Sequence, residues 1–540
     1  MTDEASRTAR PWWRSAVFYE IYIRSFADGN GDGVGDLIGI RSRLPYLAEL
    51  GVDAIWITPF YPSPMADGGY DVADYRGVDP LFGTLADFDR LVQDAHDLDI
   101  RVMIDIVPNH TSARHPWFQA ALAAGPGSRE RERYIFRPGR GPGGTLPPND
   151  WKSVFGGPAW TRVTEPDGRP GEWYLHLFDR SQPDLNWRDP EVRREFESIL
   201  RFWLDRGVDG FRIDVAHGLI KKPHLPDAGP VQHIEEDVDT DLPYWDEDEV
   251  HDIYREWRKI LDSYPGDRMA IAEAWVTKPD RLALYLRRDE LHQAFNFGYL
   301  LAPWRADRLR AEIDKSLAAT TQVDATTTWV LSNHDVVRHV TRYGADDLAL
   351  GERRARAALL LTLALPGSVY LYQGEELGLP EVTDLPVEVL QDPIWERSGH
   401  TRRGRDGCRV PIPWAGSVPP FGFGPDGSTR SWLPIPASWR DRTVEKQLKD
   451  PSSMLALYRT ALRVRRAQPA LGDGPLRWLD SPPNTLVFAR DPGFVCTVNL
   501  GRDEVKLPEY GQLVLASAPV PQHDDEVWLP PDTAAWWRAR

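Results

Sequence analysis

The chain has 540 residues, 27% of them charged, and a formal net charge of −17. That length exceeds one compact core and predicts two or three domains. The acidic balance excludes nucleic acid and an anionic membrane as main partners, since both require a basic face; no run approaches the roughly 20 apolar residues of a membrane span.

Taken in order, the polar leader Met1-Thr2-Asp3-Glu4-Ala5-Ser6-Arg7 lacks the apolar stretch of a secretory signal. Cys408 and Cys496 form no metal-type cluster and read as free thiols, so a reducing, cytoplasmic setting is expected. Residues Ala16 to Phe26 are aromatic and β-branched and predict a first strand. Asp28-Gly29-Asn30-Gly31-Asp32-Gly33-Val34-Gly35-Asp36 then sets oxygen side chains at alternate positions between turn-forming glycines, the arrangement a hard cation such as calcium requires. Position 12 of the loop is Gly39, not the bidentate glutamate of an EF-hand, so a different calcium loop is expected.

Val52 to Pro59 is the second predicted strand, followed by the loop Asp67-Gly68-Gly69-Tyr70-Asp71. Phe88, Leu91, Val92, Ala95 and Leu98 recur at helical spacing. Arg101 to Val107 is the third strand, closed by Pro108-Asn109-His110. Residues from about 111 to 190 break this rhythm with Gly, Pro and Trp; an apolar content that includes Trp151, Phe155, Trp160 and Phe178 predicts a small ordered subdomain. The face Val192, Phe196, Ile199, Leu200, Trp203 and Leu204 predicts a helix feeding the strand Gly210-Phe211-Arg212-Ile213-Asp214. Further strands are expected over Arg268 to Trp275, Gln293 to Phe297, Thr326 to Asp335 and Ser368 to Glu376. A polar insertion runs to about residue 450, and from about 475 short strands and turns predict a small β domain.

Eight strands interleaved with helices predict an α/β protein with a (β/α)₈ barrel. The expected division is 1–110 and 187–474 for the two parts of the barrel, 111–186 for a subdomain inserted after strand 3, and 475–540 for an antiparallel C-terminal β domain. A doubly wound sheet buries such strands equally well, but does not ordinarily gather four ionisable strand ends. Those ends are His110, Asp214, Glu273 and His334-Asp335, and a barrel places its chemistry there. Arg212 and Asp214 point to one face of their strand. Alone, Arg-x-Asp reads as a buried ion pair, or as a carboxylate nucleophile kept ionised, with lowered pKa, by the guanidinium. Glu273 alone reads as a catalytic acid or a helix cap. Twenty-two tryptophans and 11% aromatics suit the apolar faces of sugar rings, although packing also uses them.

The segments Asp105-Ile106-Val107-Pro108-Asn109-His110, Gly210 to Asp214, Ala272-Glu273 and Ser332-Asn333-His334-Asp335 occur in this order, and Gln182-Pro183-Asp184-Leu185-Asn186 stands between the first two. In these segments, and nearly throughout from Trp12, the chain resembles glycoside hydrolase family 13, the α-amylase superfamily, in its α-glucosidase and oligo-1,6-glucosidase branch. The resemblance implies that Asp214 is the nucleophile forming a covalent glucosyl intermediate, Glu273 the general acid and base with a raised pKa, and Asp335 the carboxylate gripping sugar hydroxyls. Retention places two such carboxyls about 5–5.5 Å apart. It further implies that Arg212 keeps Asp214 ionised and that His110 and His334 bind the innermost glucose. Asp67, Tyr70 and Arg409 then close the pocket beyond the non-reducing end, so that action is exo. Phe155 and Phe178 are implied walls of the pocket, with core packing the alternative for each. Asp28, Asn30, Asp32, the carbonyl of Val34 and Asp36 match the branch's structural Ca²⁺ loop.

Val215 after the nucleophile matches relatives preferring α-1,6 linkages, whereas Ala216-His217-Gly218-Leu219-Ile220-Lys221 resembles α-glucosidases acting on maltose. The expected function is therefore a retaining exo-α-glucosidase releasing glucose from maltose and short α-glucosides. The alternatives are an oligo-1,6-glucosidase and a transglycosylating relative such as a sucrose isomerase, trehalose synthase or glucosyltransferase. The expected partner is a small α-glucoside; oligomeric state is left open.

Overall fold

The computed structural model describes residues 11–229, 241–523 and 526–539; the leader Met1-Thr2-Asp3-Glu4-Ala5-Ser6-Arg7 lies outside them. Eight parallel strands form a nearly closed barrel: β1 (Val17–Ile21), β2 (Ala54–Ile57), β3 (Arg101–Ile106), β7 (Gly210–Ile213), β8 (Met269–Ala272), β9 (Gln293–Ala294), β10 (Thr328–Val330) and β11 (Ser368–Tyr372). Their order is β10-β11-β1-β2-β3-β7-β8-β9. Side chains bridge the seam between β9 and β10: Thr328 Oγ1 donates to the Ala294 carbonyl at 2.6 Å. Next to the seam, Gln293 Nε2 donates to Ser368 Oγ at 3.0 Å.

Strand parity sorts the residues. Phe18, Trp56, Met103, Ile271, Phe295, Val330 and Tyr370 fill the barrel, while Tyr19, Ile21, Ile55, Ile104 and Ile213 pack against the helices. Glu20, two residues beyond Phe18, pairs with Trp56, and Asp105 pairs with Arg212. The apolar barrel is therefore topped by a charged layer at the carboxyl ends of its strands.

The helices follow their sequence signals. Thr84 and Asp87 make a reciprocal capping box on Leu85–Asp97. Asp189 caps Pro190–Leu204, all six of whose expected core-face residues are buried. Leu98, expected on the apolar face of the earlier helix, is its C-cap and 39% exposed. Several strands are shorter than expected. The chain turns into a helix at Ile23–Phe26, β9 holds two residues, and β10 stops at Val330, leaving His334 and Asp335 in a loop. Short strands suffice because tertiary packing, not propensity, fixes them.

The insertion after β3 carries an antiparallel sheet of β4 (Phe136–Arg137), β5 (Trp160–Thr164) and β6 (Pro170–Leu175), in the order β4-β6-β5. Trp151, Trp160, Leu175 and Leu177 give it a small core, shared with Leu225, Leu242 and Tyr244. At the C-terminus, β12 (Leu476–Trp478), β13 (Thr485–Arg490), β14 (Phe494–Asn499), β16 (Gln512–Ala516) and β19 (Thr533–Arg538) form an antiparallel sheet. A second sheet holds β15 (Val505–Leu507), β17 (Gln522–His523) and β18 (Glu526–Leu529). Trp536 Nε1 docks the larger sheet on the barrel by donating to the Leu360 carbonyl at 3.0 Å. Cys408 and Cys496 are both free and buried.

After β11 the chain buries Glu375, whose oxygens accept from Tyr372 N at 3.1 Å and Tyr458 Oη at 3.3 Å. Burial pushes this carboxyl up to about 8. The folded state thus holds a proton that the unfolded chain releases from its ordinary range upward, so this contribution to stability is full below that range and is lost as pH rises to about 8. Glu375→Gln, a permanently neutral isostere, is expected to melt several degrees higher than wild type at pH 8 and alike at pH 4, read by thermal denaturation; equal melting curves at both would refute it.

Candidate active site

Arg212 on β7 is the hub of the charged layer. It is 2% exposed, and one terminal nitrogen donates to Asp105 Oδ1 at 2.7 Å and Asp214 Oδ1 at 2.5 Å. Its other terminal nitrogen lies 2.9 Å from Glu273 Oε2. Parallel register makes this possible, because Arg212 stands opposite Asp105 of β3 and Ile271 of β8, with Glu273 two residues beyond Ile271. Glu273 also accepts from the Val215 amide at 2.9 Å and from Trp275 Nε1 at 3.1 Å. Val215 adopts φ 47°, a left-handed conformation rare for a β-branched residue, at the residue that aims this amide.

One cation serving three buried carboxylates changes the expected electrostatics. Arg212 does pull Asp214 down, but burial comes first among the causes, and Glu273 and Asp105 repel its negative charge; the carboxyl is raised well above its ordinary range instead of lowered. Asp105 is likewise pushed up to about 6, chiefly by burial. The expectation that Arg212 alone lowers Asp214 is therefore corrected. Burial, with two further carboxylates on the one guanidinium, sets the direction at Asp214.

Asp335 behaves oppositely. Arg405 Nη1 and Arg409 Nη2 lie 2.9 and 3.0 Å from Oδ1. The two arginines act against burial, itself the largest cause and acting upward, and the carboxyl is held below its ordinary range.

Asp67 is positioned by its own loop, where Asp71 accepts the amides of Ala66 and Asp67 at 3.0 and 3.1 Å. Its partner is Arg405, at 2.8 Å, and Gln182 Nε2 donates to it at 3.0 Å. Arg405 also lies 2.6 Å from Asp392. Arg409, expected with Asp67 and Tyr70 to close the pocket, lies on Asp335 and donates through Nε to the His334 carbonyl at 2.9 Å. Arg405 thus makes the Asp67–Asp335 bridge, a role the sequence reading left unassigned. Tyr70 donates its hydroxyl to Asp105 Oδ2 at 3.2 Å, and its ring stacks on His334 at 5.3 Å between centroids. His110 Nε2 donates to the Tyr70 carbonyl at 3.1 Å, and burial pushes this imidazole down to about 4. Phe155 and Phe178 meet edge to face at 5.6 Å, with Phe178 beside His110 at 5.2 Å.

A cavity of about 680 Å³ leads to this cluster and is lined by Phe155, Phe178, Val215, His217, Trp245, Glu273, Trp275, Asp335 and Arg405, among others. Glu273, 8% exposed, lines it, and Asp214, 6% exposed, lies beside Glu273 on the same guanidinium. Arg212 lies beneath, committed to carboxylates. Residues missed by the sequence reading are Glu20, Arg405, Asp392, His217 and Trp275. Arg405 carried a signal, standing four residues before Arg409 in Arg405-Asp406-Gly407-Cys408-Arg409.

The proposed calcium residues lie away from this cluster. Asp28 Oδ2 accepts from Gly33 N at 2.9 Å, Asp32 Oδ1 from Val34 N at 2.8 Å, and Asp36 from Gly29 N at 3.1 Å and Gly39 N at 2.6 Å. Asp36 is also the N-cap of the helix Leu37–Leu50. Among the described residues no three acidic, histidine or cysteine side chains converge as a metal cluster. The donors are nevertheless all oxygen, and Asp28 and Asp32 add to burial in pushing Asp36 up to about 6. Crowded carboxylates without a cation fit a calcium ion.

The chain is similar to known proteins over most of its length. The model of the alpha amylase catalytic domain matches residues 20–474. A probable alpha-glucosidase of Rhizobium meliloti (strain 1021) is 41% identical over 505 residues, covering 90% of this chain and 88% of that protein. An oligo-1,6-glucosidase of Parageobacillus thermoglucosidasius is 36% identical over 494 residues, covering 85% and 84%. The crystal structure of an alpha-glucosyl transfer enzyme has a TM-score of 0.86 at 38% identity, over 98% of this chain and 100% of that one.

Proposed function

The chain belongs to the alpha-amylase family and is a glycoside hydrolase, and from that premise we propose that it is a retaining, exo-acting α-glucosidase. It would release glucose from the non-reducing end of maltose and short α-glucosides. The observation that carries exo action is the Asp67–Arg405–Asp335 bridge, at 2.8 and 2.9 Å. It ties the loop after β2 to the loop after β10, and such a tie would close the pocket beyond the terminal sugar.

Asp214 attacks the anomeric carbon as the glycosidic bond breaks, forming a glucosyl ester, while Glu273 delivers a proton to the departing oxygen. Glu273 then takes a proton from water, which attacks the ester and releases Asp214. The shared guanidinium supports retention, since it holds the two carboxyls as near neighbours. Asp335, held as an anion by two arginines, stabilises the positive charge that develops on the sugar ring.

A transferring reading is favoured by the likeness to the alpha-glucosyl transfer enzyme and by Trp245 and Trp275 in the cavity wall, whose faces suit a sugar acceptor. Val215 lines the same cavity, so the linkage preference, proposed as α-1,4 with breadth towards α-1,6, is set there. Incubation with maltose, isomaltose, sucrose and α-1,2 and α-1,3 glucosides decides: stoichiometric glucose supports hydrolysis, whereas new disaccharides as main products would replace it with transfer.

The buried free thiols Cys408 and Cys496 fit a cytoplasmic setting, and among the described residues no helix is long and apolar enough to cross a membrane. The oxygens of Asp28, Asn30, Asp32, Asp36 and the Val34 carbonyl would hold a structural Ca²⁺ that neutralises their mutual repulsion. Chelation is then expected to lower the melting temperature by several degrees, with restoration by Ca²⁺ but not Mg²⁺; an unchanged temperature removes the ion from the proposal.

A further inference from the structure

Glu20, at the carboxyl end of β1, is 2% exposed and takes no part in the chemistry above. Its Oε1 lies 2.5 Å from Nδ1 of His334, while Nε2 of that imidazole lies 3.3 Å from Asp335 Oδ2. His334 therefore stands between two carboxyls. Its ring plane is fixed by stacking on Tyr70, 6° from parallel, and on Tyr22, 25° from parallel.

The donor roles follow from what each group can do. Asp335, gripped by Arg405 and Arg409, is an anion and can only accept, so Nε2 carries a hydrogen. Two arrangements remain at Nδ1: a bare nitrogen facing a protonated Glu20, or an imidazolium facing a carboxylate. Burial disfavours charge on both partners. Glu20 is pushed up by burial and by Asp335 and Asp105, against Arg212. His334 is pushed down by burial and by Arg409, Arg212 and Arg405, against Asp335. Tyr372 also faces Glu20, and burial keeps its hydroxyl protonated.

We propose that Glu20 is a positioning residue whose acid O–H donates to Nδ1 of His334, fixing the neutral imidazole with its Nε2–H turned to Asp335 and the bound sugar. Placing an imidazolium there would add a positive charge where Asp335 must oppose one developing on the sugar. The inference rests on the α-glucosidase reading for what His334 touches, but the tautomer itself does not depend on it.

Glu20→Gln keeps a neutral donor at this position, its amide N–H replacing the acid O–H, whereas Glu20→Ala removes it. With maltose, Glu20→Gln is expected within about three-fold of wild-type kcat/KM, and Glu20→Ala about ten-fold or more lower. Equal losses in the two variants, or no loss in either, would overturn the proposal. Nitrogen-15 histidine NMR of the full chain, with His334 assigned by its loss in His334→Asn, reads the tautomer even if maltose is not a substrate. A bare Nδ1 with a protonated Nε2 supports the inference, and two protonated nitrogens overturn it. Failure of the wild type to release glucose from any α-glucoside would instead count against the function proposed above.

Discussion

Asp214→Asn is expected to lower kcat on maltose by about 10⁴-fold or more, because the amide cannot form the glycosyl ester and no other group is placed to replace it. Asp105 shares the same Arg212 nitrogen, at 2.7 Å, but is 0% exposed and cannot reach a sugar. The fold should not suffer. Asp214 is raised by burial and then by its carboxylate neighbours, so replacing it with a neutral isostere relieves both, and the melting temperature is expected to hold or rise. Asp214→Ala extends the test: azide should occupy the vacated space and restore turnover of an activated glucosyl fluoride, giving a β-glucosyl azide. Turnover of Asp214→Asn near the wild-type rate would refute the nucleophile assignment.

Glu273→Gln is expected to cost about 10²–10⁴-fold, with the size set by the leaving group. A sugar departs as an alkoxide unless protonated, so maltose should show the full loss; a fluoride or nitrophenolate needs little help and should show much less in the glycosylation step. The amide oxygen can still accept from Val215 N, the contact at 2.9 Å, while the 3.1 Å contact from Trp275 Nε1, made to the other carboxylate oxygen, is given up, so one anchor is kept while the proton is lost. A loss of equal size on maltose and on the fluoride would assign Glu273 to binding, not to proton transfer.

These two carboxyls show how the site reads from the chain. Parity along Phe211-Arg212-Ile213-Asp214 places Arg212 and Asp214 on one face, and the structure has them in contact at 2.5 Å. The electrostatic consequence drawn from that pair was reversed. A pair predicts a lowered acid, but the barrel brings Asp105 and Glu273 to the same guanidinium, and three carboxylates on one cation raise it. The closing of the pocket was drawn with Arg409 and without Arg405 for a related reason. Arg405 is the N-cap and Arg409 the last residue of a short 3₁₀ segment, and only the packing of that segment against the β10 loop gives Arg405 to Asp67 and both arginines to Asp335.

By itself the sequence determined what local rules govern: two-residue alternation putting Phe18 and Glu20 inside and Tyr19 outside, the caps Thr84 and Asp189, the Asp/Gly loop, and the order of four charged strand ends. Only the tertiary structure decided who meets whom. Arg212 and Asp105 are 107 residues apart and Arg405 and Asp67 are 338 apart, and no local periodicity carries information over such separations. Barrel closure supplies it, by fixing the register of neighbouring strands and burying the charges together, and burial is what raises Asp214 where an exposed ion pair would lower it.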